Sequence, residues 1–247
     1  MKGERTLLNW ALEHSDPNAN LGEVARKIKN IDPEIIEAVL GRSDAVTMKE
    51  LATKAGEKQT PTEIRVACLE ELESLAEDLN NSRDIAKLSL WPLLCGLFAG
   101  TEDPLVRLHA FSVAAAAIQN DTVTQEGFLK ACPLPELNLL LLGEKHGETK
   151  KKIFRCLSCL LKSDELFDKF FVSEGIRALV DVFTNFAHET SLMANALFFA
   201  RFCIEEGRPS SLFSQALRTL PILTVDETAP YYEDWAFLKN CWDRPCD

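Results

Sequence analysis

PLVRLHAFSVAAAAIQN, residues 104–120, is the stretch that decides the fold. Asp103-Pro104 opens it with an N-cap and a proline at the first helical position, where the missing N–H costs nothing. Ala114, Ala115, Ala116 and Ala117 let neighbouring helices approach closely, and Phe111 supplies bulk for a core between repeats. A helix this apolar needs neighbours on several sides, so the same pattern should recur along the chain.

It does recur. Comparable long helices are expected over 63–80, 149–162 and 191–205, with starts marked by Pro61, Glu148-Thr149 and Thr190. Shorter pairs fill the intervals: 82–89 with 92–99, 122–131 with 135–142, and 164–172 with 176–186. Gly100, Gly143 and Gly175 stand where helices should stop or turn. Leu79, Ile118 and Leu161 superpose near the ends of the long helices, and Leu94, Leu137 and Leu179 in the short ones. Phe154 and Phe198 should fill the core alongside Phe111. A period of roughly forty residues with three helices each matches armadillo repeats better than tetratricopeptide or ankyrin units. The expected fold class is all-α: a right-handed armadillo-repeat superhelix, or solenoid, with a short helical, partly mobile N-terminal segment.

That segment is polar and broken. Leu7, Leu8, Ala11 and Leu12 form one short stripe; Asp32-Pro33-Glu34 opens a second helix that Gly41 closes; Thr47 with Glu50 reads as a capping box for a third. The expected organisation is an N-terminal segment over 1–59, repeats over 60–222 and a C-terminal capping helix and tail over 223–247.

Composition narrows the function. The 247 residues include 27 Lys plus Arg against 38 Asp plus Glu, a net charge of −11, which opposes the counterion-releasing surface that nucleic acid requires. Eight scattered cysteines, several on apolar helical faces, suit a reducing compartment rather than a disulfide scaffold. The charged N-terminus carries no signal-peptide core, and no stretch reaches the ~20 apolar residues that a membrane span needs. A cytoplasmic monomer is expected. The sequons at Asn80 and Asn120 are therefore read as helix-end residues.

Motifs for catalysis are missing. Cys156-Leu157-Ser158-Cys159 has the spacing of zinc and redox sites, but it lies inside an apolar helix and lacks a second ligand pair, so core packing is the expectation. His14, His109, His146 and His188 are far apart in sequence and should be solvent-facing or at helix ends. No phosphate loop, nucleophile elbow or dinucleotide fingerprint occurs. Neither a cofactor nor a metal is expected, and binding rather than catalysis is the anticipated role.

The informative surface is a basic stripe in an acidic chain. Lys151, Arg155, Ser158 and Lys162 share one helical face, opposite Ile153, Leu157, Leu160 and Leu161. On an armadillo solenoid the long third helices line the concave side. The candidate partner-binding face there comprises Glu73, Glu77, Asn80, Asn81, Ser82, Ser112, Gln119, Asn120, Lys151, Arg155, Ser158, Lys162 and Asn195. The bland alternative for each residue is an ordinary solvated helix face.

Ordered segments also carry a family resemblance. Leu7-Leu8-Asn9-Trp10-Ala11-Leu12-Glu13-His14-Ser15, Asp32-Pro33-Glu34-Ile35-Ile36, and Thr47-Met48-Lys49-Glu50 come first. Glu77-Asp78-Leu79-Asn80-Asn81 through Leu88-Ser89-Leu90-Trp91-Pro92-Leu93-Leu94 follow, then Ala117-Ile118-Gln119-Asn120 and Asp168 to Gly175. In this order they resemble the armadillo-type nucleotide exchange factors of DnaK-type heat-shock chaperones (heat-shock protein 70), including the fungal cytosolic factor and the metazoan chaperone-binding protein. The likeness covers most of 5–205; beyond it, Tyr231 to Leu238 resembles the family's terminal helix. It implies a co-chaperone that embraces one lobe of the chaperone's ATPase domain and accelerates ADP release. Armadillo import receptors, by contrast, display a ladder of Trp and Asn, whereas Ala116 and Cys159 stand at the corresponding Asn positions here. The competing expectation is an armadillo adaptor or scaffold for an unrelated protein.

Overall fold

The computed structural model describes residues 43–207 and 227–242. The expected stripe at 7–12, the helix opened by Asp32-Pro33 and His14 lie outside the described residues. Two compact units divide the chain, 1–47 and 48–247.

All regular structure among the described residues is helical. Helix α1 spans Asp44–Gly56, α2 Thr62–Ala76, α3 Leu79–Lys87 and α4 Trp91–Gly96. Then come α5 Pro104–Ala117, α6 Thr122–Ala131, α7 Leu134–Gly143 and α8 Gly147–Leu160. The last four are α9 Asp164–Val172, α10 Gly175–Asn185, α11 Thr190–Gly207 and α12 Tyr232–Trp242. The long helices stack in order, α2 on α5, α5 on α8 and α8 on α11, while α3 packs on α6 and α7 on α10. This side-by-side stacking of like elements is the repeat architecture, and α12 closes it against α11.

Local chemistry explains the boundaries, and it corrects several expectations. The first long helix ends at Ala76, not at Asn80, because the Asp78 carboxylate accepts from the Asn80 and Asn81 N–H groups at 2.8 and 3.2 Å and so starts α3. Leu79 thereby becomes the first residue of α3 and is 45% exposed, whereas Ile118 and Leu161 are buried at the ends of α5 and α8. Helix α8 begins at Gly147 behind His146, two residues ahead of the expected start. Thr47 is no cap: α1 already begins at Asp44, and the Thr47 hydroxyl donates to the Ser43 carbonyl at 3.4 Å.

Gly175 is where an absent side chain is indispensable. A Cβ there would lie 2.5 Å from the Phe170 ring and 2.6 Å from the Phe170 carbonyl oxygen, so only glycine lets α10 start this close to α9. Aromatic rings fill the space between repeats. Phe98 stacks on Phe111 at 4.0 Å between centroids, and Phe154 meets Phe199 at 5.1 Å. The third core phenylalanine is therefore Phe199, 1% exposed, and not Phe198, which is 59% exposed. One residue rotates a helical side chain by ~100°, enough to move it from core to surface.

A row of buried charges ties successive repeats together. The fourth residue of each of the first three long helices is a buried cation: Arg65, Arg107 and Lys150. Arg65 grips Glu102 through two bonds of 2.9 Å, and Arg107 grips Glu144 through two of 3.0 Å, each pair 37 residues apart. Each arginine also donates to a backbone carbonyl, Arg65 to Ala55 and Arg107 to Glu102. Lys150 donates to the Leu141 carbonyl at 2.6 Å and to Asp181 at 3.3 Å, with the Phe186 ring 4.7 Å away. In α11 the fourth residue is Met193, and this row of cations ends there. Arg65 draws Glu102 down to about 2, overriding the opposing effect of burial.

Candidate functional site

The basic stripe forms one wall of an open groove with a volume of about 670 Å³. Gln119 and Asn120 just after α5, Lys151, Lys152, Arg155 and Ser158 along α8, Lys162 just past its end, and Asn195, Phe198 and Phe202 on α11 line it; α8 stops at Leu160 rather than at the expected Lys162. The opposite face of α8 explains this arrangement. Ile153, Leu157, Leu160 and Leu161 are buried, which leaves the polar residues of the same helix no place but the groove.

Polar contacts order the walls. Arg155 donates to the Gln119 side-chain oxygen at 3.0 Å, across the step from α8 to α5. Lys151 pairs with Glu148 at 2.7 Å and donates to the Ser191 hydroxyl at 3.3 Å, reaching α11. Lys152 comes within 3.9 Å of Glu73 on α2. The Ser158 hydroxyl donates to the Phe154 carbonyl at 3.0 Å, and the Asn195 amide to the Ser191 carbonyl at 3.0 Å.

Arg155 differs from the other arginines. Arg65, Arg83, Arg107, Arg177 and Arg201 each pair with a carboxylate. Among the described residues, Arg155 is the one arginine with no carboxylate within 4.0 Å, and Lys162 has none either. In a chain of net charge −11, these are two exposed cations available to an acidic surface.

Of the residues expected on the partner face, the groove unites Gln119, Asn120, Lys151, Arg155, Ser158, Lys162 and Asn195. Glu73 touches it through Lys152. Glu77 and Asn80 are exposed near the turn from α2 into α3, with the half-buried Asn81 beside them, and none of the three lines the groove. Ser82 and Ser112 are corrections: they are 3% and 2% exposed, and Ser82 spends its hydroxyl on the Leu79 carbonyl at 2.9 Å. Sequence reasoning missed Lys152, Phe198 and Phe202. The last two were discoverable, since they sit three and seven positions after Asn195 and so share its helical face.

Elsewhere the polar groups serve the fold. A cavity of about 410 Å³ lies beside Arg107 and Glu144, which are already engaged with each other. Cys156 is fully buried, with its thiol 3.9 Å from the Phe111 carbonyl, and burial pushes its pKa up; burial does the same to Cys159. Cys156 is part of the core, while the half-buried Cys159 packs against the core and borders the groove. Among the described residues, no three His, Cys, Asp or Glu side chains are grouped to hold a metal ion. His109 sits 3.8 Å from Glu70, and His188 is exposed. No described helix is long and apolar enough to cross a membrane.

Comparison with known proteins places the chain among similar sequences. The family model described as "Nucleotide exchange factor Fes1" matches residues 5–85. The Hsp70 nucleotide exchange factor fes1 of Schizosaccharomyces pombe is 25% identical over 191 residues, covering 76% of this chain and 65% of that protein. The Saccharomyces cerevisiae FES1 is 24% identical over 197 residues, covering 77% and 67%. The chain is similar to these Fes1 proteins over about three quarters of its length. A third Fes1 protein, from Gibberella zeae, is 27% identical and covers 68% of this chain and 81% of its own length. The chain spans 65% and 67% of the length of the two yeast Fes1 proteins.

Solved structures identify the fold. A designed armadillo repeat protein, determined in complex with a (KR)4 peptide, superposes with a TM-score of 0.63 at 14% identity over 93% of this chain and 96% of its own. A computationally designed armadillo repeat protein for modular peptide recognition gives 0.58 at 11% identity over 91% and 100%. The described residues form an all-α armadillo solenoid.

Proposed function

We propose that this protein is a nucleotide exchange factor: it binds the ATPase domain of a cytosolic Hsp70 chaperone and accelerates ADP release, without making or breaking a covalent bond. The observation that carries this reading is the match, across about three quarters of the chain, to the two yeast proteins named Hsp70 nucleotide exchange factors. The groove built on α5, α8 and α11 is the proposed contact face, centred on Arg155 and Lys162. It acts as a monomer in the cytoplasm.

Exchange needs only differential binding. A factor that prefers an open ATPase domain over a closed one must weaken any nucleotide that prefers the closed state, and the nucleotide weakens the factor by the same ratio. A rigid surface serves this purpose because compliance would let the factor follow the chaperone into closure. The buried ion pairs Arg65–Glu102 and Arg107–Glu144 couple adjacent repeats and resist such bending.

Stopped-flow release of a fluorescent ADP from an isolated Hsp70 ATPase domain is the test. Faster release with rising protein concentration is expected, together with dissociation of the complex by ATP. Unchanged release at saturating protein would overturn the proposal and leave an adaptor role, which a pull-down insensitive to ATP would identify.

A further inference from the structure

Phe198 is not part of the core. It stands 59% exposed on α11, while the adjoining Phe199 supplies the core contact to Phe154 and Phe170. Among the described side chains it is the one aromatic that is exposed. Its neighbour one turn on, Phe202, is held in place by Phe167 at 5.7 Å and Phe199 at 6.2 Å. Phe198 therefore rises from a fixed aromatic base rather than from a loop. Around it in the groove stand Arg155 and Ser158 on α8, Lys162 just past the end of that helix, and Asn195 on α11. An apolar projection encircled by polar and cationic groups is the arrangement in which a few central residues carry most of the binding energy of an interface.

We infer that Phe198 is the apolar anchor of the groove, and that the partner presents a folded protein surface with an apolar notch rimmed by carboxylates. This deepens the functional reading above and rests on it. Burying Phe198 in a notch removes apolar surface from water, and carboxylates at the rim meet Arg155 and Lys162, which lack such partners within the described chain. Charge complementarity also decides the class of partner. Single-stranded nucleic acid could stack a base on Phe198, but the net charge of −11 opposes a phosphate backbone along the rest of the molecule.

Affinity of the full chain for an isolated Hsp70 ATPase domain, measured by titration calorimetry, tests the inference with Phe198→Ala, Phe198→Leu and Arg155→Glu. Phe198→Ala is expected to weaken binding on the order of 30-fold, the loss typical of a central anchor, with helicity and melting temperature unchanged because the side chain is exposed. Phe198→Leu should recover much of that loss. Arg155→Glu should weaken binding in a salt-dependent manner. Wild-type affinity in a folded Phe198→Ala protein overturns the anchor while leaving the exchange function standing. If the wild-type chain fails to bind the ATPase domain at all, the functional reading and this inference fall together. Tight binding of a single-stranded oligonucleotide that disappears in Phe198→Ala would reassign the groove and overturn the proposed partner chemistry.

Discussion

Replacing Arg107 with alanine should expose how much the solenoid depends on its buried charges. Both members of the Arg107–Glu144 pair are buried, and Glu144 receives two bonds of 3.0 Å from the guanidinium. Backbone N–H groups of Lys145 and His146 donate to one Glu144 oxygen at 2.7 and 3.0 Å, so that oxygen keeps partners after the substitution. The other loses the guanidinium, and the Glu102 carbonyl loses its donor as well. Removing one partner of a buried pair typically costs ~3–5 kcal/mol; with two backbone donors remaining, about 3 kcal/mol is expected. For a chain of this size that corresponds to a fall in melting temperature of about 6–12 °C, read by circular dichroism at pH 7. A fall below about 2 °C would refute the reasoning. Replacing both partners with apolar residues, Arg107→Met with Glu144→Leu, should restore most of the loss, since no unpaired charge is then left inside. The pH dependence has a definite sign. Burial raises the Glu144 pKa, but hydrogen bonds from Arg107 and from the His146 and Lys145 N–H groups outweigh it and hold the pKa below its ordinary value of 4.5. The stabilisation is therefore present above that value and lost as pH falls through the lower, folded-state one, so the gap between wild type and Arg107→Ala should narrow in acid.

Three further outcomes follow from the same geometry. Glu102, held at about 2 by Arg65, contributes stability above its ordinary 4.5 that disappears towards pH 2; acid titration of Glu102→Gln should lack that portion of the transition. Gly175→Ala should destabilise by ~2 kcal/mol or more in urea unfolding, because the new Cβ meets the Phe170 ring and carbonyl; an unchanged midpoint would show that the α9–α10 junction relaxes freely. Arg155→Glu combined with Lys162→Glu should weaken chaperone binding at least tenfold while helicity and melting stay intact; undiminished affinity would place the interface elsewhere.

Much of the architecture was legible in the chain because stacked repeats translate hydrophobic period directly into structure. Helices α6 and α9 begin and end where capping residues and apolar spacing place them, since Asp121 and Ser163 each accept from an N–H in the first turn. The basic stripe on α8 was legible for the same reason: a helix with one apolar face has only one other face to offer. What escaped depended on packing between distant residues. The pairing of Arg65 and Arg107 with carboxylates 37 residues further on has no local signal, because only the stacking of repeats brings them together. Phe198 and Phe199 are indistinguishable in composition, and only the angle at which α11 meets α8 and α9 selects which one enters the core. Ser82 and Ser112 were placed on the surface by polarity, although a serine hydroxyl can be buried cheaply when a carbonyl of the preceding turn accepts from it, as the Leu79 carbonyl does from Ser82.

The ladder of buried pairs also bears on how such a chain can change length. Arg65 lies 37 residues before Glu102, and Arg107 the same distance before Glu144. Excision of the stretch from Val66 to Arg107 would bring Arg65 to that same distance from Glu144, while Glu102 would leave together with the repeat that contained it. A duplication in the same phase would likewise deliver each new carboxylate with its own arginine. Whole repeats can thus be inserted or lost without stranding a charge in the interior, and solenoid length becomes a trait that evolution can adjust separately from the integrity of the fold.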